Sequence, residues 1–589
     1  MTAPTKEITW KIGGEAGFGI MSTGEMFARI CMRAGWQVFS YPEYPSLIRG
    51  GHNTMQVTVA QEPVTSHRSQ IGVLVALNRA TVDLHISEMS PSGVIIYDTS
   101  DHTFTGFSPA AVTRRDIQVI GLPLEDLSKS GGGGMLMRNT VALGASCALL
   151  DIPTDHLAEV IHDAFAKKGA EVVALNSKTL MAGYQAIESG QRRSCPWSID
   201  PTPRSSEQIL LSGNNALSLG AIQAGCQLFS AYPMTPASSI LHFLAEHGPA
   251  YGLVVRHAED EIAAIHHAIG AAYTGVRAMT ATAGGGFSLM TEAVGMAAMT
   301  EVGIVVVEAQ RGGPSTGLPT WTEQADLRQV LHASQGDFPR IVLAPSSHAE
   351  CFAMIQTAFH LADKYQTPVI VMTDKYLAEG LRNVRIDDLV PQAIMRGKFW
   401  PLNSQPLEKY HRYQADIPDG VAPRALPGTP GGLFLANSDE HDEDGYSSED
   451  IPHRIGQMDR RVRKTVSMQA DLIPPRLCGP EPASLTVVTW GSSAGAVEAA
   501  LEILQQQYKL TANAMIITMI APLPAAAIAA KLAGRQQTVM VEANQSGQMA
   551  GWIRQQTGLT FNHAINRYDG RPFDPVELAE QLAALSKTQ

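Results

Sequence analysis

The chain has 589 residues, 44% of them apolar and 17% charged, and a formal charge of −12. That is too long for one hydrophobic core, so several domains are expected, and the composition is that of an ordinary globular protein. The acidic balance argues against a nonspecific nucleic-acid or anionic-membrane binder.

The first region, residues 1–190, opens on the strand-like Ile8-Thr9-Trp10-Lys11-Ile12. The turn Gly13-Gly14-Glu15-Ala16-Gly17-Phe18-Gly19 and a helical pattern over 21–35 follow. Strands are expected at 55–59, 71–77, 94–98 and 117–120, and their alternation with helices predicts an α/β layer fold. Residues 131–134, all glycine, read as a flexible joint. Residues 191–206 hold Pro196, Pro201 and Pro203 among polar residues and read as a linker. A second α/β region covers 207–385, with strands expected at 228–229, 253–255, 278–282, 304–307, 341–343 and 369–372. A polar connecting segment spans 386–480. The last region, 481–589, has strands expected at 486–490, 514–519 and 538–542. The longest apolar run, 514–530, is broken by Pro522 and Pro524, so it reads as a strand, a turn and the start of a helix rather than a membrane span. The N-terminal Met1-Thr2-Ala3-Pro4-Thr5-Lys6 carries no apolar signal segment, and a cytoplasmic protein is expected. The six cysteines form no CxxC, hence no zinc or iron–sulfur ligand run, and read as core residues.

The chemistry gathers at strand ends. Ala231-Tyr232-Pro233-Met234-Thr235-Pro236 fixes a hydroxyl between two prolines. Arg311-Gly312-Gly313-Pro314-Ser315-Thr316-Gly317-Leu318-Pro319-Thr320 presents a guanidinium and three hydroxyls on a rigid loop. A guanidinium makes a planar two-point match to a carboxylate, so Arg311 is a candidate oxoacid ligand; a structural ion pair is the alternative. Glu259, Asp260 and Glu261 open a helix, where acids also belong for dipole reasons alone. Thr280-Ala281-Thr282-Ala283-Gly284-Gly285-Gly286-Phe287 lacks a P-loop lysine, and its small residues admit a flat ring. The turn at 13–19 suits a phosphate or simply a tight crossover. Arg49-Gly50-Gly51 suits an anion or an interface ion pair. His441-Asp442-Glu443 reads as a solvated face, with spacing that matches no standard metal site. Glu542-Ala543-Asn544-Gln545-Ser546-Gly547-Gln548 looks like another strand-end turn.

In this order, the motifs at 231–236, 259–261, 280–287 and 311–320, with Thr489-Trp490-Gly491-Ser492 and 542–548, resemble the 2-oxoacid:ferredoxin oxidoreductases, as an α subunit with a γ domain fused at its N-terminus. The 2-oxoglutarate type is nearest in character. The resemblance implies a multidomain α/β protein: a γ domain (1–190), a thiamine-diphosphate pyrimidine-binding domain (207–385), the connecting segment (386–480) and a transketolase C-terminal-like domain (481–589). It implies oxidative decarboxylation of a 2-oxoacid to an acyl-CoA, reversible with a low-potential donor, with electrons passed to ferredoxin. Carried onto this sequence, Glu261 is the carboxylate on N1′ of the aminopyrimidine, with Glu259 as fallback. Thr235, Arg311 and Thr320 surround the substrate carboxylate, and Asp442 is a further substrate-side group. Tyr232, Pro233, Met234, Gly285 and Phe287 join Glu261 in holding the cofactor, and Arg49, Gly50 and Gly51 help place coenzyme A. The chain lacks the family's Gly-Asp-Gly metal–diphosphate signature and its cluster cysteines. Mg2+ and the [4Fe–4S] cluster are therefore expected on a β subunit, in an (αβ)2 assembly without which this chain is inactive. The alternatives are a subunit acting on pyruvate, branched-chain oxoacids or indolepyruvate, and a noncatalytic assembly subunit.

Overall fold

The computed structural model describes residues 7–47, 50–108, 112, 114, 116–188, 195, 197–199, 207–400 and 410–587. The chain forms two compact units. One is Met1–Leu211 with Glu379–Asp387 and Asp574–Val576; the other is Ser212–Ala378, Asp388–Phe573 and Glu577–Gln589.

The first unit is built on an eight-stranded sheet in the spatial order Gln118–Leu122, Met89–Asp98, Ile71–Ala76, Glu7–Glu15, His52–Ala60, Gln37–Glu43, Leu381–Arg385, Gln208–Ser212. Its first four strands are parallel, while Glu7–Glu15 and Gln37–Glu43 flank His52–Ala60 antiparallel. The register sets Glu15 opposite His52, so the glycine turn and the Gly50-Gly51 loop share one edge. The strand Gln37–Glu43 was not foreseen, because a helix-length apolar pattern ends just before it. The core packs Trp10 on Phe27 with ring centroids 4.4 Å apart, and the indole N–H donates to Ser146 Oγ at 3.0 Å. The helices Arg138–Leu149 and Ala170–Glu188 cross in near contact: a Cβ at Gly144 would lie 1.9 Å from Leu180 O. The glycine run is no loose joint. The amides of Gly131, Gly132 and Gly133 donate to Leu127, Lys129 and Ser128 carbonyls, and Ser128 Oγ donates to Gly134 O at 2.7 Å. The run closes the C-terminus of Leu124–Ser130, satisfying carbonyls that end a helix.

The second unit holds two sheets. The seven-stranded one runs Met519–Ala521, Ile341–Leu343, Val369–Asp374, Val305–Gln310, Arg277–Thr282, Cys226–Ala231, Val254–His257, parallel except at Met519–Ala521. The five-stranded one runs Arg476–Cys478, Ala512–Ile517, Leu485–Trp490, Gln537–Glu542, His563–Asn566, parallel except at Arg476–Cys478. The run 514–530 resolves as anticipated into strands Ala512–Ile517 and Met519–Ala521, a proline turn and the helix Ala525–Leu532. Four cysteines (31, 147, 226 and 351) are buried and two are half-buried. Among the described residues no helix is long and apolar enough to cross a membrane, and no cluster of three His, Cys, Asp or Glu could hold a metal ion.

The connecting segment contains a helix, Ile451–Ser467, whose polarity is inverted. Gln457, Arg460, Arg461 and Lys464 are buried, while Ile451, Ile455, Val462 and Val466 are exposed. Arg461 pairs with Glu440, while Arg460 and Lys464 converge on the fully buried Glu301. Lys464 Nζ lies 2.8 Å from it, Arg460 donates to it, and Arg412 Nη2 donates to its backbone carbonyl at 2.9 Å. Burial alone would raise the Glu301 carboxyl, but Arg460, Lys464 and Arg412 overcome this and hold it well below the usual carboxylate range. Burial pushes Lys464 down to about 8. Glu301→Gln strands three buried cations and lowers the unfolding free energy by about 3–5 kcal/mol. Urea titration checks this, and a loss of under about 1 kcal/mol, the worth of an exposed pair, would contradict it.

Candidate active site

Parallel strands end on one edge, and there the polar loops gather. The loop after Cys226–Ala231 is pinned from two sides. Arg311 Nη1 donates to Thr235 O at 2.8 Å, and Asn214 Nδ2 donates to Pro236 O at 2.8 Å. Tyr232 is exposed, and Pro233, Met234 and Thr235 are half-buried. Arg311 therefore joins the two motifs singled out in the sequence, with one side chain spanning both loops.

The three acids at 259–261 divide by role. Asp260 Oδ1 accepts from Ala263 N at 2.7 Å and caps the helix Glu261–Tyr273. Glu259 is exposed. Glu261 is only 3% exposed, and its Oε1 has no hydrogen-bond partner. It lies against the N-terminus of the helix Gly284–Met299, where a Cβ at Gly286 would sit 2.6 Å from Glu261 Oε1 and 2.1 Å from Thr282 Oγ1. Glycine there is what lets the carboxylate approach the helix. Thr282 Oγ1 in turn lies 3.9 Å from Met234 Sδ. The buried hydroxyls of Thr280 and Thr320 also lack partners. Phe287 is fully buried in the hydrophobic core, where it anchors the first turn of its helix.

The loop after Val305–Gln310 folds on itself, with Leu318 N donating to Gly312 O at 2.8 Å and Gly312 N to Trp321 O at 3.1 Å. Beside it opens a cavity of about 640 Å3 whose wall includes Gly284, Gly285, Arg311, Glu323, Asp326 and Asn544. Arg311 is the one cation among its described lining residues. Burial lowers the Arg311 guanidinium, against which the Asp326 charge acts, and burial raises Glu323 and Asp326. A larger cavity of about 1040 Å3, walled by Arg461, Leu523 and Trp552, holds none of the sequence-predicted site residues.

The structure thus groups Thr235, Arg311, Gly285 and the buried Glu261 at neighbouring strand ends. It does not bring Asp442 to them. Asp442 Oδ1 accepts from Asp444 N at 2.9 Å and Tyr446 N at 3.0 Å, closing a turn. The adjacent His441 Nε2 lies 3.5 Å from Met299 O. That is the far end of the 16-residue helix Gly284–Met299, about 24 Å from the cavity end. Arg49 lies outside the described residues; Gly50 and Gly51 both have positive φ, at 72° and 75°.

Sequence reasoning missed Gln324. Its amide N–H donates to Ala543 O at 2.7 Å, its Oε1 accepts from Ser493 Oγ and Ala543 N at 2.9 Å each, and Asn544 Nδ2 donates to its carbonyl at 3.0 Å. The turn at 542–548 is organised by Glu542, which accepts from Met549 N at 2.8 Å and Ala550 N at 3.1 Å at the start of Gln548–Thr557. The available signal was an acid ending the strand Gln537–Glu542 just before a turn into a helix.

A buried carboxylate facing a glycine-lined helix terminus and a guanidinium on a cavity wall thus both lie where parallel strands end, the place at which α/β folds bind ligands. Comparison with known proteins makes this specific. The family model described as pyruvate flavodoxin/ferredoxin oxidoreductase, thiamine diphosphate binding, matches residues 219–460. That described as pyruvate ferredoxin/flavodoxin oxidoreductase matches residues 9–186. The 2-oxoacid:ferredoxin oxidoreductase subunit alpha of a Sulfolobus species is 31% identical, over 98% of this chain and 97% of its own. The 2-oxoglutarate oxidoreductase subunit KorA of Mycobacterium tuberculosis is 32% identical, over 84% of this chain and 79% of its own. A solved 2-oxoglutarate:ferredoxin oxidoreductase from Magnetococcus marinus, with 2-oxoglutarate, coenzyme A and succinyl-CoA bound, superposes with a TM-score of 0.90 at 32% identity, over 99% of this chain and 100% of that one. The chain belongs to the family of 2-oxoacid:ferredoxin oxidoreductase alpha subunits.

Proposed function

We propose that this subunit serves the thiamine-diphosphate- and CoA-dependent oxidative decarboxylation of 2-oxoglutarate to succinyl-CoA. In this reading a β subunit supplies the diphosphate and Mg2+ site and the [4Fe–4S] cluster that passes electrons to ferredoxin. The reading includes an (αβ)2 assembly in the cytoplasm, the functional division at 1–190, 207–385, 386–480 and 481–589, and coenzyme A placement by Arg49, Gly50 and Gly51. The names of the KorA relative and of the Magnetococcus enzyme support 2-oxoglutarate over pyruvate.

One observation carries the reading: Glu261 is buried with Oε1 unpartnered. A polar atom left so costs on the order of 1–3 kcal/mol and is satisfied by a ligand that donates a hydrogen bond. The aminopyrimidine of thiamine diphosphate fits this requirement at N1′. When bound, the cofactor supplies a carbon nucleophile and an electron sink for loss of CO2. Glu261 holds the proton at N1′ and so sets the ring's tautomer. Tyr232, Pro233 and Met234 form the loop wall, and Gly285 leaves open space beside the helix terminus. Arg311 takes the substrate carboxylate in a bidentate pair, with the Thr235 and Thr320 hydroxyls beside it.

The test is co-purification with the product of an adjacent gene carrying CxxC and Gly-Asp-Gly, followed by viologen-dye reduction. Expected is turnover that requires thiamine diphosphate and CoA, with kcat/KM higher for 2-oxoglutarate than for pyruvate. Dye reduction indifferent to thiamine diphosphate would overturn the cofactor, and a preference for pyruvate the substrate.

A further inference from the structure

The wall beside Arg311 holds an acidic pair that the reading above leaves unused. Glu308 is fully buried on Val305–Gln310, in register with Thr282 and Met372 on the neighbouring strands. Neither carboxyl oxygen has a conventional donor among the described residues. The group that acts on it is another carboxyl, that of Asp326, whose side chain faces it. Two facing carboxyl groups favour the state in which one of them carries a proton. Asp326 is held in place from two directions. Its backbone N–H donates to Gln310 Oε1 at 3.1 Å, and a Cβ at Gly284 would lie 2.4 Å from its Oδ2. It reaches the cavity surface together with Arg311. The groups facing the pair are Arg311 and Asp374; Glu323, itself faced by Asp569, lies beside Asp326. Burial raises both carboxyls above their ordinary range.

A guanidinium whose charge is opposed by an ionised Asp326 holds a second anion less well, since the two anions repel. We propose that Glu308 and Asp326 act as one proton-holding unit that sets the charge Arg311 presents. With one proton the unit is anionic and opposes binding; entry of the substrate carboxylate is accompanied by uptake of a second proton, which releases Arg311 to the substrate. Both acids are positioning residues that act through Arg311, and the inference rests on Arg311 being the carboxylate ligand.

The experiment measures KM for the 2-oxoacid against pH in the assembled enzyme, between about pH 6 and pH 9. The wild-type KM rises by up to about tenfold per pH unit once the second proton is no longer held, the slope of a one-proton linkage. Asp326→Asn removes the opposing charge and gives a low KM that no longer varies with pH. Glu308→Gln donates an amide hydrogen to Asp326, keeps it ionised and gives a high, equally flat KM. A merely structural pair would shift both variants the same way and keep the wild-type slope, which overturns the inference. Calorimetric titration of wild-type complex with oxamate, in two buffers of different ionisation enthalpy, reads proton uptake without any variant: up to one proton per site is expected, and none overturns the inference. Arg311→Ala separates the two readings. An unchanged KM removes the carboxylate ligand itself, whereas a raised KM together with wild-type slopes in both acid variants removes only the proton-holding unit.

Discussion

Glu261→Gln lowers kcat of the assembled enzyme by about 10²–10⁴-fold, the range for loss of a positioned proton-holding group, while leaving it as stable as wild type or more so. The two halves of this result come from one fact. Glu261 is buried without a donor for Oε1, an arrangement that folding by itself disfavours. A glutamine has the same shape and removes the buried charge, so thermal unfolding shifts upward or stays in place. The amide cannot hold a proton at the pyrimidine, so turnover collapses. Steady-state kinetics at saturating thiamine diphosphate, paired with a melting curve, checks both. Wild-type kcat, or a lowered melting temperature, would show that the carboxylate serves structure instead. The exposed Glu259 provides the control: Glu259→Gln leaves kcat within about twofold, as surface changes do.

The second large effect is at Arg311. Arg311→Ala lowers kcat/KM by about 2–4 kcal/mol in transition-state terms. Part of that loss is mechanical, because the same guanidinium holds Thr235 O at 2.8 Å and so fixes the loop carrying the hydroxyl. Arg311→Lys keeps the charge and loses the planar fork, and falls between Ala and wild type. Equal activity of the alanine variant and the wild type in the presence of β would favour a noncatalytic assembly subunit.

Much of this site was legible because its residues are of kinds that few structural roles demand. A threonine between two prolines, an arginine opening a Gly-Pro loop, and small residues at a helix start each stand at the end of an apolar run, where parallel strands deliver function. Sequence alone could not divide Glu259, Asp260 and Glu261, since all three suit a helix N-terminus; burial separates them into an exposed acid, a cap and a buried group. Asp442 differs: its residues alone read as a solvated face, its substrate-side role came only from the resemblance, and its side chain closes a turn.

The connecting segment stayed unread because its packing inverts the usual rule. Periodicity arguments place apolar residues inside, whereas the helix Ile451–Ser467 turns Arg460, Arg461 and Lys464 inward because Glu301 and Glu440 wait there. For Glu301 the compensating Arg460 and Lys464 lie more than 150 residues away, and such pairing leaves no local signature. The same holds for Glu308 and Asp326, joined by the fold across a loop that on its own reads as surface. The run 131–134 shows the converse, that glycine-rich sequence does not mean freedom when three of its amides and its last carbonyl are engaged.

The most direct test of the central claim is a structure of the assembled enzyme with thiamine diphosphate and a 2-oxoacid bound. The expected result is Glu261 Oε1 within hydrogen-bond distance of N1′, about 2.6–3.0 Å, and both terminal nitrogens of Arg311 on the substrate carboxylate. A cofactor ring seated away from Glu261, or a substrate carboxylate paired with some cation other than Arg311, would contradict the account.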